Sequence, residues 1–382
     1  MSEWKKVKLG EICERVTSGG TPKANVSSYY NPPTIPWLKT KEVNYCRITE
    51  TENYISEEGL KNSSAKLISP NSVIIAMYGQ GDTAGRIAIN KIPLATNQAC
   101  CNLTIDKSKA DYEFIYYQLC TLYDKLVSLK AGAAQPNLNA RIIKNLEIIM
   151  PSLPIQHRIA NILSRYDSLI ENYQKQIKLL EEAAQRLYKE WFVDLRFPGH
   201  ENTNLIDGVP EGWEKKKVGE IAPIITGKKD ANFGTPNGEY PFFTCSQEPI
   251  KAPSFSFDCA AVLLAGNGDF NVKLYRGRFE AYQRTYVLSP YIDSHLYLLF
   301  YTISANMTKL AAGSSGSTIK FLTKGMIDGI NLNVPNDKIL RSFNKKVEPI
   351  QSSRESLQSQ LRLLTEARDR LLPKLMSGEI TI

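Results

Sequence analysis

One stretch, residues 155–191, constrains the fold more than any other because its large apolar residues recur with the period of an α-helix. The stripe runs through Ile155, Ile159, Ile162, Tyr166, Leu169, Tyr173, Ile177, Leu180, Ala184, Leu187 and Trp191. Its mean spacing is about 3.6 residues, the period of an amphipathic helix. At ~1.5 Å per residue such a helix is roughly 54 Å long, longer than a typical domain is wide. The rest of the chain must therefore be arranged around an extended element.

The chain also contains an internal duplication. The segment 4–12 (WKKVKLGEI) reappears as 213–221 (WEKKKVGEI). The second half of the helical stripe recurs 184 positions later, at Leu357, Leu361, Leu364, Leu371 and Leu375. A length of 382 residues fits two domains. We therefore predict four segments: a globular domain at 1–150, a long helix at 151–198, a second globular domain at 199–335 and a second long helix at 336–382.

Both globular segments alternate short β-prone runs with helical patterns and turn signals, which predicts an α+β fold with an internal repeat. The predicted strands are 35–38, 72–77, 86–89, 102–105, 260–265 and 285–288, and the predicted helices are 111–129 and 294–310. Pro349 and Pro373 lie within the second long helix. Proline removes a backbone donor, so we expect a kink or break at each and a second helix less regular than the first.

Composition indicates a soluble globular protein, with 42% hydrophobic and 23% charged residues. The net charge of +8 fits a nucleic-acid partner without requiring one. The seven cysteines show no metal-ligand spacing, which predicts reduced thiols. The first residues lack an apolar signal segment, and the longest apolar run, 295–303, is too short to span a bilayer. We therefore expect a cytoplasmic protein.

No motif in the chain predicts catalysis. The segment 31–34 (Asn-Pro-Pro-Thr) resembles the Asn-Pro-Pro-aromatic tetrad of amino-methyltransferases, but Thr34 replaces the aromatic ring and no glycine fingerprint for the methyl donor precedes it. A turn is the better interpretation. The glycine-rich loop 79–85 lacks the spacing of a dinucleotide-binding motif, and there is no P-loop. The three histidines, His157, His200 and His295, have no neighbours at metal-ligand spacing, so we predict no catalytic residue and no metal site.

Basic, amide and hydroxyl side chains are instead interleaved with glycines in the loops of both globular segments. Arg and Lys recognise guanine edges, Asn and Gln recognise adenine edges, and Lys on phosphates supplies salt-dependent affinity. Each alone fits an ordinary surface residue, but two matched sets on duplicated domains favour DNA binding. The candidate DNA-binding residues are Lys39, Thr40, Lys41, Gln80, Arg86, Asn97, Gln98, Lys130, Gln135 and Asn137 in the first domain, and Lys228, Lys229, Asn267, Gln283, Arg284 and Lys320 in the second.

Four segments in a fixed order carry a resemblance to a known family. They are 151–156 (PSLPIQ), 188–193 (YKEWFV), 209–214 (VPEGWE) and 371–380 (LLPKLMSGEI). Together they make the chain similar, over nearly its whole length, to the specificity subunits of type I restriction-modification enzymes. The family often has an acidic residue before the glutamine that opens the first helix, where this chain has Ile155.

The resemblance implies two target recognition domains, each recognising half of a bipartite DNA sequence. The two long helices would pack antiparallel as a coiled-coil spacer, with the repeats about a pseudo-twofold axis. Two methyltransferase (modification) subunits would dock on the helices, bringing S-adenosylmethionine and adenine-N6 methylation, and restriction subunits would add ATP- and Mg-dependent translocation. This chain would then bind no cofactor and be non-catalytic. The candidate partner-binding residues are Gln156, Ile159, Tyr166, Tyr173, Trp191, Leu357, Leu364 and Leu371.

Two alternatives come from other functional classes. If the chain were a self-contained DNA methyltransferase, it would bind S-adenosylmethionine by itself. The chain as a coiled-coil scaffold would show no salt-dependent affinity for duplex DNA.

Overall fold

The computed structural model describes residues 4–130, 137–314 and 320–382. The chain forms two compact units: the first contains residues 1–172 and 360–382, and the second contains residues 173–359. Each unit therefore combines a globular part with segments of both long helices. The boundaries proposed at residues 150, 198 and 335 stay a prediction.

The first unit is built on a five-stranded sheet with the order β2-β10-β7-β8-β4, accompanied by the four-stranded sheet β5-β3-β9-β6 and the strand pair β1-β11. Its strands are β1 Lys5–Lys8, β2 Cys13–Ser18, β3 Ile35–Leu38, β4 Cys46–Ile48, β5 Tyr54–Ile55, β6 Leu67–Ile68, β7 Val73–Ala76, β8 Ile87–Asn90, β9 Leu94–Thr96, β10 Cys100–Ile105 and β11 Glu147–Met150. Its helices are α1 Glu57–Lys61, α2 Tyr112–Cys120, α3 Tyr123–Ser128 and α4 Ala140–Lys144, followed by the first long helix, α5 Leu153–Tyr188, which continues into the second unit.

The second unit is built on a six-stranded sheet with the order β15-β20-β18-β19-β16-β17, with the strand pairs β14-β21 and β12-β13. Its strands are β12 Leu205–Ile206, β13 Val209–Pro210, β14 Glu214–Lys217, β15 Ile224–Thr226, β16 Tyr240–Phe243, β17 Ile250–Ala252, β18 Phe257–Ala265, β19 Val272–Ala281, β20 Thr285–Leu288 and β21 Asn331–Val334. Its helices are α6 Val218–Ile221, α7 Leu296–Gly313 and α8 Lys324–Asp328, followed by the second long helix, α9 Asp337–Ser377, which continues into the first unit.

Strand topology confirms the internal repeat. The order β2-β10-β7-β8 in the first unit matches β15-β20-β18-β19 in the second. In both sheets the fifth strand is parallel to its neighbour, β4 to β8 and β16 to β19, while the pairings before it are antiparallel. The strand pairs β1-β11 and β14-β21 contain the repeated WKKVK and WEKKK segments. The fold is therefore α+β with the same sheet core built twice.

Burial on both faces explains why some strands were predictable. In β7, Val73 and Ile75 pack into a core with α2, while Ile74 and Ala76 pack into the core on the opposite face. A strand buried on both faces has an unbroken apolar run of residues, and this run is what predicted the strand from the sequence. Strand β19 was missed because its charged residues alternate with apolar ones next to a glycine at 277. The helix predicted at 111–129 forms as two helices, α2 and α3.

The long helices are interrupted at a different place from the one that the prolines predicted. Helix α9 runs uninterrupted through Pro349 and Pro373, so the predicted breaks do not occur. Each proline has fully buried neighbours, such as Val347 and Leu375, whose packing offsets the lost hydrogen bond. The irregular segment is a π-helical turn, Lys189–Val193, at the end of the first helix. The prediction that the second helix is the less regular one is therefore wrong.

Within each unit, segments of α5 and α9 pack against each other. In the first unit Arg368 donates to Asp167 at 2.9 Å, and in the second Arg354 pairs with Glu181 at 3.4 Å. The residue number in α5 rises by 14 from one pair to the next while that in α9 falls by 14. The two helices are therefore antiparallel in their pairing. None of the helices in the described part of the chain has an apolar stretch long enough to cross a membrane.

Candidate nucleic-acid interface

In the second unit a tight turn brings several candidate DNA-binding residues together. The turn spans residues 282–285, closed by a hydrogen bond from the Thr285 amide to the Tyr282 carbonyl at 2.8 Å. The Gln283 amide donates to the Lys229 carbonyl at 2.9 Å. The Gln283 side chain donates through Nε2 to Asp230 Oδ1 at 2.7 Å. The loop 228–230 and this turn therefore form one surface.

Two further loops join this surface. The Gly266 amide donates to the Arg284 carbonyl, and the Leu322 amide donates to the Gly266 carbonyl, both at 2.8 Å. Asn267 lies in a β-bridge with Phe321. A cavity of about 490 Å³ opens between these loops and is lined by Thr226, Gly266, Gln283, Arg284, Tyr286, Phe321, Leu322, Thr323 and Lys324. Its wall combines basic, amide and aromatic groups, which is the chemistry that contacts phosphates and base edges.

The first unit contains an equivalent turn. The Cys100 amide donates to the Asn97 carbonyl at 3.1 Å, closing the turn 97–100, and the Gly19 amide donates to the Cys100 carbonyl at 3.2 Å. In the second unit the Gly227 amide makes the same bond to the Thr285 carbonyl at 3.2 Å. Gln98 and Gln283 therefore occupy matching turn positions.

The anchoring loops also match. Thr21 of the loop after Gly19 hydrogen-bonds the Gln98 side chain, as Asp230 of the loop after Gly227 bonds Gln283. A Cβ at Gly19 or Gly227 would collide with a backbone carbonyl oxygen of the facing strand connection. Glycine is therefore required for each loop to approach its turn.

The remaining candidates of the first unit are spread over other loops. Arg86 donates to Asp82 at 2.5 Å and to Asn44 at 3.1 Å. The hydrogen bond from Arg86 to Asp82 lowers the pKa of Asp82. Lys41 pairs with Glu52, which raises the pKa of Lys41. Each of these two cations is thus already paired with a carboxylate of its own unit.

The other predicted DNA-binding residues divide by exposure. Lys39 donates to Asn53 at 2.9 Å, and Lys229 lies over the ring of Phe233 at 4.4 Å. Exposed or half-buried residues are Gln80, Asn97, Lys130, Asn137, Lys228, Asn267 and Lys320. Thr40 is buried, which corrects its assignment as a surface contact. Gln135 lies outside the described residues.

Sequence reasoning missed several members of the second-unit cavity, notably Tyr286, Phe321 and Lys324. Tyr286 alternates within a buried strand, so its pattern predicted core, and its hydroxyl donates to the Leu322 carbonyl at 2.9 Å. Phe321 is 39% exposed although it is aromatic. An aromatic residue directly after Lys320 in a loop was the available signal.

Residues 1–182 and 210–352 match the family described as type I restriction modification DNA specificity domain. The chain belongs to this family. The match covers both units, so the specificity-subunit interpretation is favoured over the scaffold and the self-contained methyltransferase.

Individual relatives agree with this membership. The chain is 28% identical to the type I restriction enzyme MjaIX specificity subunit of Methanocaldococcus jannaschii, over 100% of this chain and 94% of that protein. It is 36% identical to the EcoDI specificity subunit of Escherichia coli over 45% of this chain and 40% of that one. The crystal structure of a type I restriction-modification S subunit from M. genitalium has the same fold, with a TM-score of 0.69 and 17% identity, covering 98% of this chain and 96% of that one.

The structure divides the predicted partner-binding residues of this specificity subunit into two groups. Gln156, Ile159 and Trp191 are buried in the chain itself, which corrects their assignment to a partner surface. The Gln156 side chain accepts from the Asp111 amide at 3.0 Å and donates to the Pro151 carbonyl at 2.9 Å, so it fastens the start of α5 to α2. The half-buried residues are Tyr166, Tyr173, Leu357, Leu364 and Leu371.

The most exposed apolar residues on the long helices are others. Leu169 is 45%, Leu179 54% and Leu363 59% exposed. Across residues 4–130, 137–314 and 320–382, no group of histidine, cysteine and acidic side chains is arranged to hold a metal ion. The segment 31–34 is exposed and precedes β3.

Proposed function

We propose that this chain is the DNA-recognition subunit of a type I restriction-modification complex, with one recognition surface on each unit for one half of a bipartite target. The observation that carries the proposal is the duplicated turn, which holds Gln98 and Gln283 in matching positions on matching sheets. Duplicated surfaces on one chain suit a target that is itself in two parts.

The chemistry of these surfaces suits duplex DNA. A glutamine amide has the donor and acceptor pair that recognises adenine in the major groove, and Arg284 has the fork that recognises guanine. In the second unit the bond to Asp230 leaves one Nε2 hydrogen and Oε1 of Gln283 available for a base. Lys228, Lys320 and Lys324 are exposed around the same loops and would contact phosphates.

The long helices are the docking surface in this proposal. Leu169, Leu179 and Leu363 expose apolar side chains on helices whose sequences also contain many charged residues. Two methyltransferase subunits dock there and bring S-adenosylmethionine, while restriction subunits bring ATP and Mg. This chain is non-catalytic and contributes sequence recognition.

The test is to map methylated adenines in a host that expresses this chain with its modification subunit. We expect one bipartite motif with a fixed spacing, absent when either protein is omitted. A contiguous motif, or methylation that does not depend on this chain, would overturn the proposal. A Leu179→Asp, Leu363→Asp variant, which leaves both turns intact, should lose methylation together with co-purification of the modification subunit.

A further inference from the structure

A buried ion network lies between the sheet and the long helices of the first unit. Its centre is Arg47 on β4, whose side chain is 7% exposed. Arg47 Nη2 donates to Glu113 Oε2 at 2.5 Å and to the Tyr117 hydroxyl at 2.8 Å, both on α2. Arg47 Nη1 donates to Asp167 Oδ2 on α5 at 2.8 Å. A single guanidinium thus joins a strand, a domain helix and a long helix.

The second long helix enters the same network. Arg368 on α9 donates to Asp167 Oδ1 at 2.9 Å, and the Tyr117 hydroxyl donates to Asp167 Oδ2 at 2.6 Å. Lys91, directly after β8, donates to Glu113 Oε1 at 2.9 Å. Both carboxylates are therefore bound by two cations each. Burial raises the pKa of Asp167, but hydrogen bonds from Tyr117, Arg368 and Arg47 outweigh it and lower the pKa, which keeps the carboxylate charged.

The matching positions of the second unit carry no charge. With the 184-residue offset of the repeat, Tyr117 corresponds to Tyr301 and Asp167 to Gln351. Gln351 and Tyr301 are hydrogen-bonded to each other, so the contact survives in neutral form. Arg368 corresponds to Ala184, which is fully buried in an apolar core. At these matching positions the first unit therefore has ion pairs, whereas the second has a neutral hydrogen bond and apolar packing; the second unit's own ion pair between the long helices, Arg354–Glu181, lies at other positions.

This difference matters because a guanidinium is directional. Its planar fork restricts the angle between the groups it joins, whereas apolar packing is non-directional. Arg47 is also close in sequence to Asn44, which binds the candidate DNA-binding residue Arg86. Asn44, three residues before Arg47, binds Arg86, and Arg86 holds Asp82 of the glycine-rich loop 79–85. A chain of hydrogen bonds therefore connects the segment before β4 to this loop.

We propose that Arg47 is a positioning residue that sets the angle of the first recognition surface on the long helices, and thereby sharpens the complex's discrimination of half-site spacing. The inference rests on the proposed function, since it assumes a bipartite target. Arg47 contacts no DNA in this role and acts through Asp167 and Glu113.

The test uses the complex of this chain with its modification subunit. Its affinity is measured for duplexes that carry both half-sites at the native spacing, and for duplexes in which the spacing is one base pair longer or shorter. Wild type should prefer the native spacing. For Arg47→Met we expect this preference to fall by about tenfold, which corresponds to a loss of about 1.4 kcal/mol of discrimination. Arg47→Lys, which keeps the charge but loses the fork, should be intermediate. The matched control, Gln351→Met, removes the neutral contact of the second unit and should keep the wild-type preference.

Each outcome decides a distinct question. If Arg47→Met loses affinity equally at all spacings, its role is structural and the inference fails. If that variant does not fold, as judged by circular dichroism, Asp167→Asn removes one charge of the network while preserving shape, and an unchanged spacing preference in that variant overturns the inference. If the wild-type complex shows no spacing preference at all, it is the proposed function that fails.

Discussion

At the scale of single residues, the matched glutamines give the most specific prediction. Gln98→Ala should relax recognition in one half-site and Gln283→Ala in the other, because each amide would contact one base pair. A lost base contact costs about 1–3 kcal/mol of discrimination. The measurement is binding to a panel of duplexes with single base changes in each half. The control is Thr21→Val, which removes the loop contact of Gln98 but keeps its amide. Equal loss for every sequence would identify these residues as phosphate or structural contacts instead.

Individual residues also show where sequence reasoning reaches its limit. The turn glutamines were identified because an amide beside a second polar side chain, Asn97 or Arg284, is a local feature of the sequence. Arg47 was not, because its partners Glu113 and Asp167 are distant in sequence and meet it only in the folded unit. A signal existed at Asp167, which stands between the buried Leu163 and Ile170 on one helical face. A charge on an apolar face indicates a buried partner, without saying which.

Sequence reasoning also erred in the opposite direction, by assigning apolar residues of the helical stripe to a partner surface when they are buried in the chain itself. The helical period correctly identified both long helices, and Ile159 and Trp191 lie on the predicted stripe. Periodicity shows which residues share a face but not what covers that face. Their own unit covers these two, whereas Leu179 and Leu363 remain exposed.

At the scale of elements, the antiparallel pairing determines what an insertion into the long helices should do. Asp167–Arg368 and Glu181–Arg354 are separated by 14 residues on each helix, so an insertion in one helix alone would force the pairs out of register. We therefore predict that four residues must be added to both helices, after residue 172 and after residue 359. The added length of about 6 Å corresponds to nearly two base pairs at ~3.4 Å each.

Methylation mapping checks this prediction. The double insertion should change the accepted spacing by about two base pairs and leave both half-sequences unchanged. The insertion in α5 alone is the matched control and should lower activity at every spacing. Altered half-sequences in the double insertion would show that the helices do more than set spacing.

At the scale of the whole molecule, the two units should respond to acid at different pH values. In the second unit His295 is buried, and its Nδ1 has no hydrogen-bond partner among the described residues. Burial, assisted by Lys216 and opposed by Asp337, lowers its pKa. The unfolded chain therefore binds this proton first, and the second unit loses stability as the pH falls below about 6.5 toward the folded pKa.

The first unit should lose stability only in stronger acid. Burial raises the pKa of Glu113 and of Asp167, but the bonds from Arg47, Arg368, Lys91 and Tyr117 lower both below their ordinary values. The stability that these two carboxylates contribute is complete above their unfolded pKa values of about 4, and it is lost as the pH falls through their lower folded pKa values.

Hydrogen exchange from pH 7 to about 3, corrected for intrinsic rates, should show protection lost first in peptides of the second unit. His295→Gln should flatten that first change, and Asp167→Asn with Glu113→Gln should flatten the later change in the first unit. Loss of protection in the first unit at mild acidity would mean that its ion network does not govern its stability.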